Sequence, residues 1–248
     1  MSEPETPVPS GLAQAVTAYV IWGFLPLYLL LVRQVPAFEF VGWRIIWTLP
    51  ICLVIVAFRG QIPALRAALA DRRALLILIA SAVLIGINWL VYVWAIQQNY
   101  VLAASLGYYI NPLVNVLLGT LLLKEKLSRA QWIAVALAAV GIAVLAAGAV
   151  ATLWISLTLA FTFATYGLLR KQVSVGALPG LTIESGILLL PAFGIAAWYW
   201  ASPQGSSFGD SLGLSLAIVL GGFLTAIPLL LFAIAARRMD YSVLGFVQ

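Results

Sequence analysis

A chain of 248 residues that is 64% hydrophobic and 8% charged, with mean hydropathy +1.09, has more apolar surface than a soluble fold of this size can hide. Its composition therefore specifies an integral membrane protein. Histidine is absent and cysteine occurs once, as Cys52, which excludes imidazole metal sites, Ser-His and Cys-His catalytic pairs and an intrachain disulfide.

Residues 1–10, MSEPETPVPS, are acidic and proline-rich and lack the basic n-region and cleavage site of a secretory signal. They read as a cytoplasmic tail, and the apolar segment that follows reads as a retained transmembrane helix. A spanning helix needs about 20 apolar residues at ~1.5 Å each. Eight segments meet this, at 11–32, 38–58, 75–97, 101–123, 130–148, 151–169, 180–200 and 212–235. The longest connection, 59–74, carries Arg59, Arg66, Arg72 and Arg73 against Asp71 alone, which makes it cytoplasmic by the positive-inside rule. Alternation then places Lys124, Lys126 and Arg129, Arg170 and Lys171, and Arg237 and Arg238 on the same side. These are eleven of the 13 basic residues, with Arg33 in an outer loop and Arg44 within span two as the exceptions. Such clusters set topology and do not call for nucleic acid, despite the formal charge of +5. The run Trp198-Tyr199-Trp200 falls at the outer interface. A ninth apolar segment, Tyr241 to Gln248, reaches only ~12 Å as helix, and reads as a chain cut inside a helix.

The sequence repeats internally. A shift of 138 lays Ala95-Ile96 on Ala233-Ile234 and Leu106-Gly107-Tyr108 on Leu244-Gly245-Phe246. A shift of 144 or 145 lays YVIWG (19–23) on FATYG (163–167) and Glu39 on Glu184. Spans one to five, 11–148, thus read as one unit and 151–248 as its second, incomplete copy. Five is odd, so the copy enters the membrane inverted, the arrangement of many secondary transporters with a site near midplane.

Polar residues within the spans form stripes. At ~100° per residue, Ser105, Tyr108, Asn111, Pro112, Asn115 and Gly119 share one face of span four. Span three presents Ser81, Asn88 and Tyr92 with Trp89 beside them, span one Tyr19, Trp22, Gly23 and Pro26, and span six Thr158, Thr162, Thr165 and Tyr166. Such groups must face protein or water. They are either glue between helices or the wall of a cavity, and the aromatic neighbours favour the cavity. The expected lining is Tyr19, Trp22, Asn88, Trp89, Tyr92, Ser105, Tyr108, Asn111, Asn115 and Tyr166, with Pro112 and Pro228 as kink or gate positions.

Charges within spans are Glu39, Arg44 and Glu184, candidates for a coupling site or an ion pair. Both glutamates read as opening their helices, where the macrodipole favours an anion. Trp43 and Trp47 flank Arg44, which lies ~140° around the helix from Glu39, so those two are not a simple helical pair. Span five, with Ala139, Ala143 and Ala147 at four-residue steps, reads as a scaffold helix.

The stretches AYVIWGFLPLY, FVGWRIIW, SAVLIGINWLVYVWAI, ASLGYYINPLVNVLLG with KEKLSRAQW, YGLLRK, TIESGILLLP and YSVLGFVQ together resemble the RarD-type EamA-domain permeases of the drug/metabolite transporter superfamily. That resemblance implies an all-α polytopic membrane protein of ten helices in two inverted five-helix repeats, of which this sequence holds eight complete helices and the start of a ninth. It also implies a multi-pass place in a bacterial inner membrane with a cytoplasmic N-terminus. The implied activity is secondary transport of small metabolites or drugs by alternating access. Against an enzyme stand the lack of histidine, of HExxH and of an intramembrane aspartate, and no GxxxxGK[ST] supports an ATP motor. A scaffold, a sensor or an inactive truncated transporter is the alternative. The expected partners are a small-molecule substrate and the bilayer, with a homodimer allowed; no cofactor, metal or nucleic acid is called for.

Overall fold

In hydrocarbon a chain can satisfy its own backbone only as a helix or a closed barrel, and this chain takes the helix. The structure, a computed structural model, describes residues 11–248, with no strand among them; the tail assigned to 1–10 lies outside the described residues. Eight helical segments are long and apolar enough to cross a membrane, close to the boundaries read from sequence.

The first, Leu12–Val32, is interrupted: α1 (Leu12–Gly23) gives way at Phe24 to a short α2 (Leu25–Leu29) and a 3-10 turn (Leu30–Val32). Pro26 at the start of α2 has no N–H to continue the α1 ladder. α3 (Ala37–Phe58) follows. The connection 59–74 is no plain loop, because it folds as α4 (Ile62–Ala70) and α5 (Arg72–Gln97) begins within it. Asp71 fixes that start by accepting from the amides of Arg73 and Ala74, both at 3.0 Å. Asn99, in the left-handed region at φ 63°, turns the chain into α6 (Val101–Leu121). A Ser128–Gln131 capping box starts α7 (Arg129–Ala147). The second half holds α8 (Leu153–Gln172), α9 (Ala177–Ala201), α10 (Leu212–Arg238) and α11 (Tyr241–Val247). α9 starts three residues earlier than hydropathy implies, so Glu184 lies two turns inside it rather than at its mouth.

α3 packs on α9 and α10, α5 on α8 and α9, α1 on α10, and α6 on α8 and α11. α7 touches mainly α6, and none of its residues is buried. One end of the bundle gathers the basic connections. There Lys171 Nζ donates to the carbonyls of Ala236 (3.2 Å) and Met239 (2.6 Å), and Arg237 donates to Val173 (3.0 Å) and Val175. Glu125 caps α11, accepting from the amides of Tyr241 (2.8 Å) and Ser242 (2.9 Å) and from the Ser242 hydroxyl (2.7 Å). Burial alone would raise the Glu125 carboxyl, but these hydrogen bonds, with Lys171 nearby, outweigh it and hold it below the ordinary carboxylate range. At the opposite end Gln97 donates to the Val35 carbonyl at 2.7 Å.

Contact between α10 and α3 is closest at Gly222, where a Cβ would stand 2.8 Å from Trp47 Cβ and 2.9 Å from its carbonyl carbon. Backbone cannot yield as a side-chain tip does, so Gly222→Ala should lower stability by about 1–3 kcal/mol. Gly141→Ala, on α7 with open space around it, should stay within about 0.5 kcal/mol of the parent. Thermal unfolding of the two variants in detergent checks the contrast.

Candidate functional site

Helical spacing puts Tyr19, Trp22, Gly23 and Pro26 on one line of the first span, Asn88, Trp89, Tyr92 and Ile96 on one line of α5, and Val101, Ala104, Ser105 and Tyr108 on one line of α6. These lines meet, with Phe163 of α8 and Arg44 of α3, around a cavity of about 430 Å³. It lies toward the end opposite the basic connections, since Ile96 and Val101 in its lining flank the α5–α6 turn. A second hollow of about 640 Å³ adjoins it, sharing Pro26 and Ile96 and edged by Arg33, Gln34, Gln97, Gln98 and Asn99.

The walls are chiefly aromatic. Trp22 meets Phe163 edge-on with centroids 5.4 Å apart, Tyr92 meets Tyr108 edge-on at 5.7 Å, and Phe163 meets Phe232 at 4.9 Å. Toward the basic end the cluster of Tyr19, Trp22, Phe163, Tyr166 and Phe232 closes the floor.

Among the described residues Arg44 is the one charged member of the lining, and it is 5% exposed. Its Nε donates to Thr225 Oγ1 at 2.8 Å, and its guanidinium lies 4.7 Å from the Trp89 ring and 5.9 Å from Phe40. Trp89 of α5, and not Trp43 or Trp47 beside Arg44 on α3, thus supplies the tryptophan face for the guanidinium. Asn88 stays at the rim because its Nδ2 is held by the Leu159 carbonyl (3.0 Å) and Thr162 Oγ1 (2.9 Å) on α8.

Seven of the ten lining residues read from sequence, Tyr19, Trp22, Asn88, Trp89, Tyr92, Ser105 and Tyr108, come together here. Asn111, Asn115 and Tyr166 do not. Asn111 Nδ2 donates to the Ala160 carbonyl (2.9 Å) and Asn115 Nδ2 to Asn111 Oδ1 (3.1 Å), so these amides join α6 to α8, while Tyr166 is wholly buried against Phe232. Pro112 and Pro228 sit inside unbroken helices, with Pro112 packed at Gly245 of α11.

The three intramembrane charges part company. Glu39 accepts from Ser206 Oγ (2.6 Å), Ser207 N (2.7 Å), Ser207 Oγ (2.9 Å) and Trp43 Nε1 (3.3 Å), which pins the 202–211 loop over α3. Glu184 pairs with Arg170, Nε to Oε1 at 3.7 Å, and accepts from Ser81. Arg170 is 0% exposed and Glu184 2%. Sequence reading misplaced Arg170 as a loop charge beside Lys171. The only hint of its burial was the facing acid, one link away in the chain.

Residues 9–147 match the EamA-like transporter family. The chain is 42% identical over 238 residues to an uncharacterised transporter of Pseudomonas aeruginosa, covering 96% of this chain and 80% of that protein. It is 41% identical over 246 residues to protein RarD of Escherichia coli, with 96% and 80% covered. It is 39% identical over 243 residues to an uncharacterised transporter of Bacillus subtilis, again with 96% and 80% covered.

Removing either member of the buried Arg170–Glu184 pair strands the other charge, so Arg170→Met and Glu184→Gln should each lower stability by about 3–5 kcal/mol. Replacing both with Met should recover most of that loss. Thermal unfolding of the single and double variants in detergent reads the coupling.

Proposed function

Because this chain belongs to the EamA-like transporter family, as a RarD-type permease of the drug/metabolite transporter superfamily, we propose that it is a secondary transporter working by alternating access. Its cargo is a small metabolite or drug, and its place is a bacterial inner membrane with the N-terminus and the basic connections in the cytoplasm. The observation that carries the reading is the cavity itself. Polar and aromatic residues from the first span, α3, α5, α6 and α8 converge on one hollow of about 430 Å³ within the helical bundle, a size and lining suited to a small ligand.

On this reading the cavity faces outward. Its lining reaches the α5–α6 turn, while the aromatic floor and the contacts of Glu125, Lys171 and Arg237 hold the basic end together. Transport then requires the Glu125–α11 and Lys171–α10 contacts to open as the outer hollow closes.

The helix contacts support two inverted repeats, 11–148 and 151–248. With α1 matched to α8, α3 to α9, α5 to α10 and α6 to α11, exchange of the halves turns the α1–α10 contact into α8–α5 and the α3–α10 contact into α9–α5. The α3–α9 and α6–α11 contacts map onto themselves. The exposed α7, with small residues at four-residue steps, acts as the scaffold helix and is the natural face for a homodimer.

Flux into proteoliposomes across a panel of small solutes tests the activity. Tyr108→Ala and Trp22→Ala should reduce transport of the best solute by roughly tenfold, and the absence of flux for every solute would favour the scaffold reading. Topology is checked by placing cysteine at Gln98 or at Arg66, with the native Cys52 buried and silent. A membrane-impermeant maleimide should label Gln98→Cys in intact cells, but Arg66→Cys only after permeabilisation.

A further inference from the structure

The charge of the cavity is one-sided. Among the described residues Arg44 is the only ionised side chain in its lining, Arg33 is the only one at the adjoining hollow, and no Asp or Glu lines either. Among the described residues the single ion pair is Arg170–Glu184, and Glu39 is held by Ser206, Ser207 and Trp43. Among the described residues Arg44 therefore has no counter-ion. Its one hydrogen bond to the described residues uses Nε, which leaves both Nη groups with donors unmatched.

From this we infer, resting on the transporter reading, that the cavity is built for a small organic acid bound as its carboxylate. The planar guanidinium is fixed from behind by Thr225 and by the Trp89 ring, so its free edge presents the donor fork that a carboxylate accepts in two parallel hydrogen bonds. Tyr92, Tyr108 and Ser105 add hydroxyl donors in the same lining, and Trp22, Trp89 and Phe163 offer the apolar walls that the rest of the molecule would occupy. A cation placed there would meet Arg44 across a low-dielectric site with no carboxylate to receive it, and a neutral solute would leave the guanidinium without its anion. Arg33, exposed at the outer hollow, gives the entry path the same sign and favours the approach of anions.

Three probes of one shape test the inference: 3-phenylpropanoate, 3-phenylpropanamide and 3-phenylpropylamine. Binding is measured to the whole chain in nanodiscs near neutral pH through tryptophan fluorescence, since Trp22 and Trp89 line the cavity. The anion should bind at least roughly tenfold more tightly than the amide or the amine. In Arg44→Gln this preference should fall to about twofold or less, and Arg44→Lys should keep part of it. Equal or tighter binding of the amide or amine overturns the inference. So does an unchanged preference in Arg44→Gln, or no binding of the anion up to about 10 mM. The comparison among probes needs no variant, so a misfolded Arg44→Gln leaves it decisive. Flux of the radiolabelled anion and amine into proteoliposomes separates the two readings. Anion-selective binding without flux overturns transport and upholds the substrate class, whereas flux of the amine alone upholds transport and overturns the class.

Discussion

Three carbonyls of α8 hold the bundle in register. Leu159 accepts from Asn88 of α5, Ala160 from Asn111 of α6, and Ala164 from Tyr241 of α11, at 3.0, 2.9 and 2.6 Å. One bond runs the other way, with Ser156 of α8 donating to the Ala103 carbonyl of α6 at 2.7 Å. Lipid offers no hydrogen bonds, so a polar side chain in a span either reaches a neighbouring helix or opens onto water. Each such bond is individually modest, averaging about 0.6 kcal/mol in membrane helices. Their placement matters more than their strength, because three helices with little else to distinguish their apolar faces are locked at particular heights against α8.

That constraint decides where a cavity is left. At the Asn111 bond α6 is drawn onto α8, and Gly107, one turn nearer the cavity end, has the Ser156 carbonyl 3.0 Å from where a Cβ would stand. Above, the break at Phe24 and Pro26 carries the first span aside, and large aromatic rings border the space without filling it. The charged residues follow the same logic. A charge at mid-membrane costs about 2.5–3.5 kcal/mol on insertion scales, and each one here has a different remedy. Glu39 takes four donors, Glu184 takes Arg170 and Ser81, and Arg44 takes a hydroxyl and an aromatic face without an anion. Only the last arrangement leaves a charge facing open space.

Much of this was legible in the residues. The apolar runs define the eight spans, and the helical wheel groups Tyr19 with Trp22 and Asn88 with Tyr92, residues that the cavity also brings together. The wheel failed for Asn111 and Asn115 on the very stripe that contains Tyr108 and Ser105. All four point to the same side of α6, but the side is about two turns long on the cavity and then meets α8. Azimuth is written in the spacing; the depth at which a neighbouring helix closes the gap is not. Arg170 failed for a related reason, since a basic residue next to Lys171 at a helix end resembles a solvated topology signal until its facing acid is known.

The sequence by itself determined that the chain is a multi-pass helical membrane protein, that it holds eight apolar spans, and which face of each helix is polar. Hydrocarbon length and the 3.6-residue period leave little freedom in those matters. Only the tertiary structure decided which polar residues became glue and which became cavity wall, that Glu125 caps a helix more than a hundred residues later in the chain, and that Arg44 stands without a counter-ion among the described residues. These depend on the rotation and relative height of packed helices, and those are set by close contacts between residues far apart in the sequence.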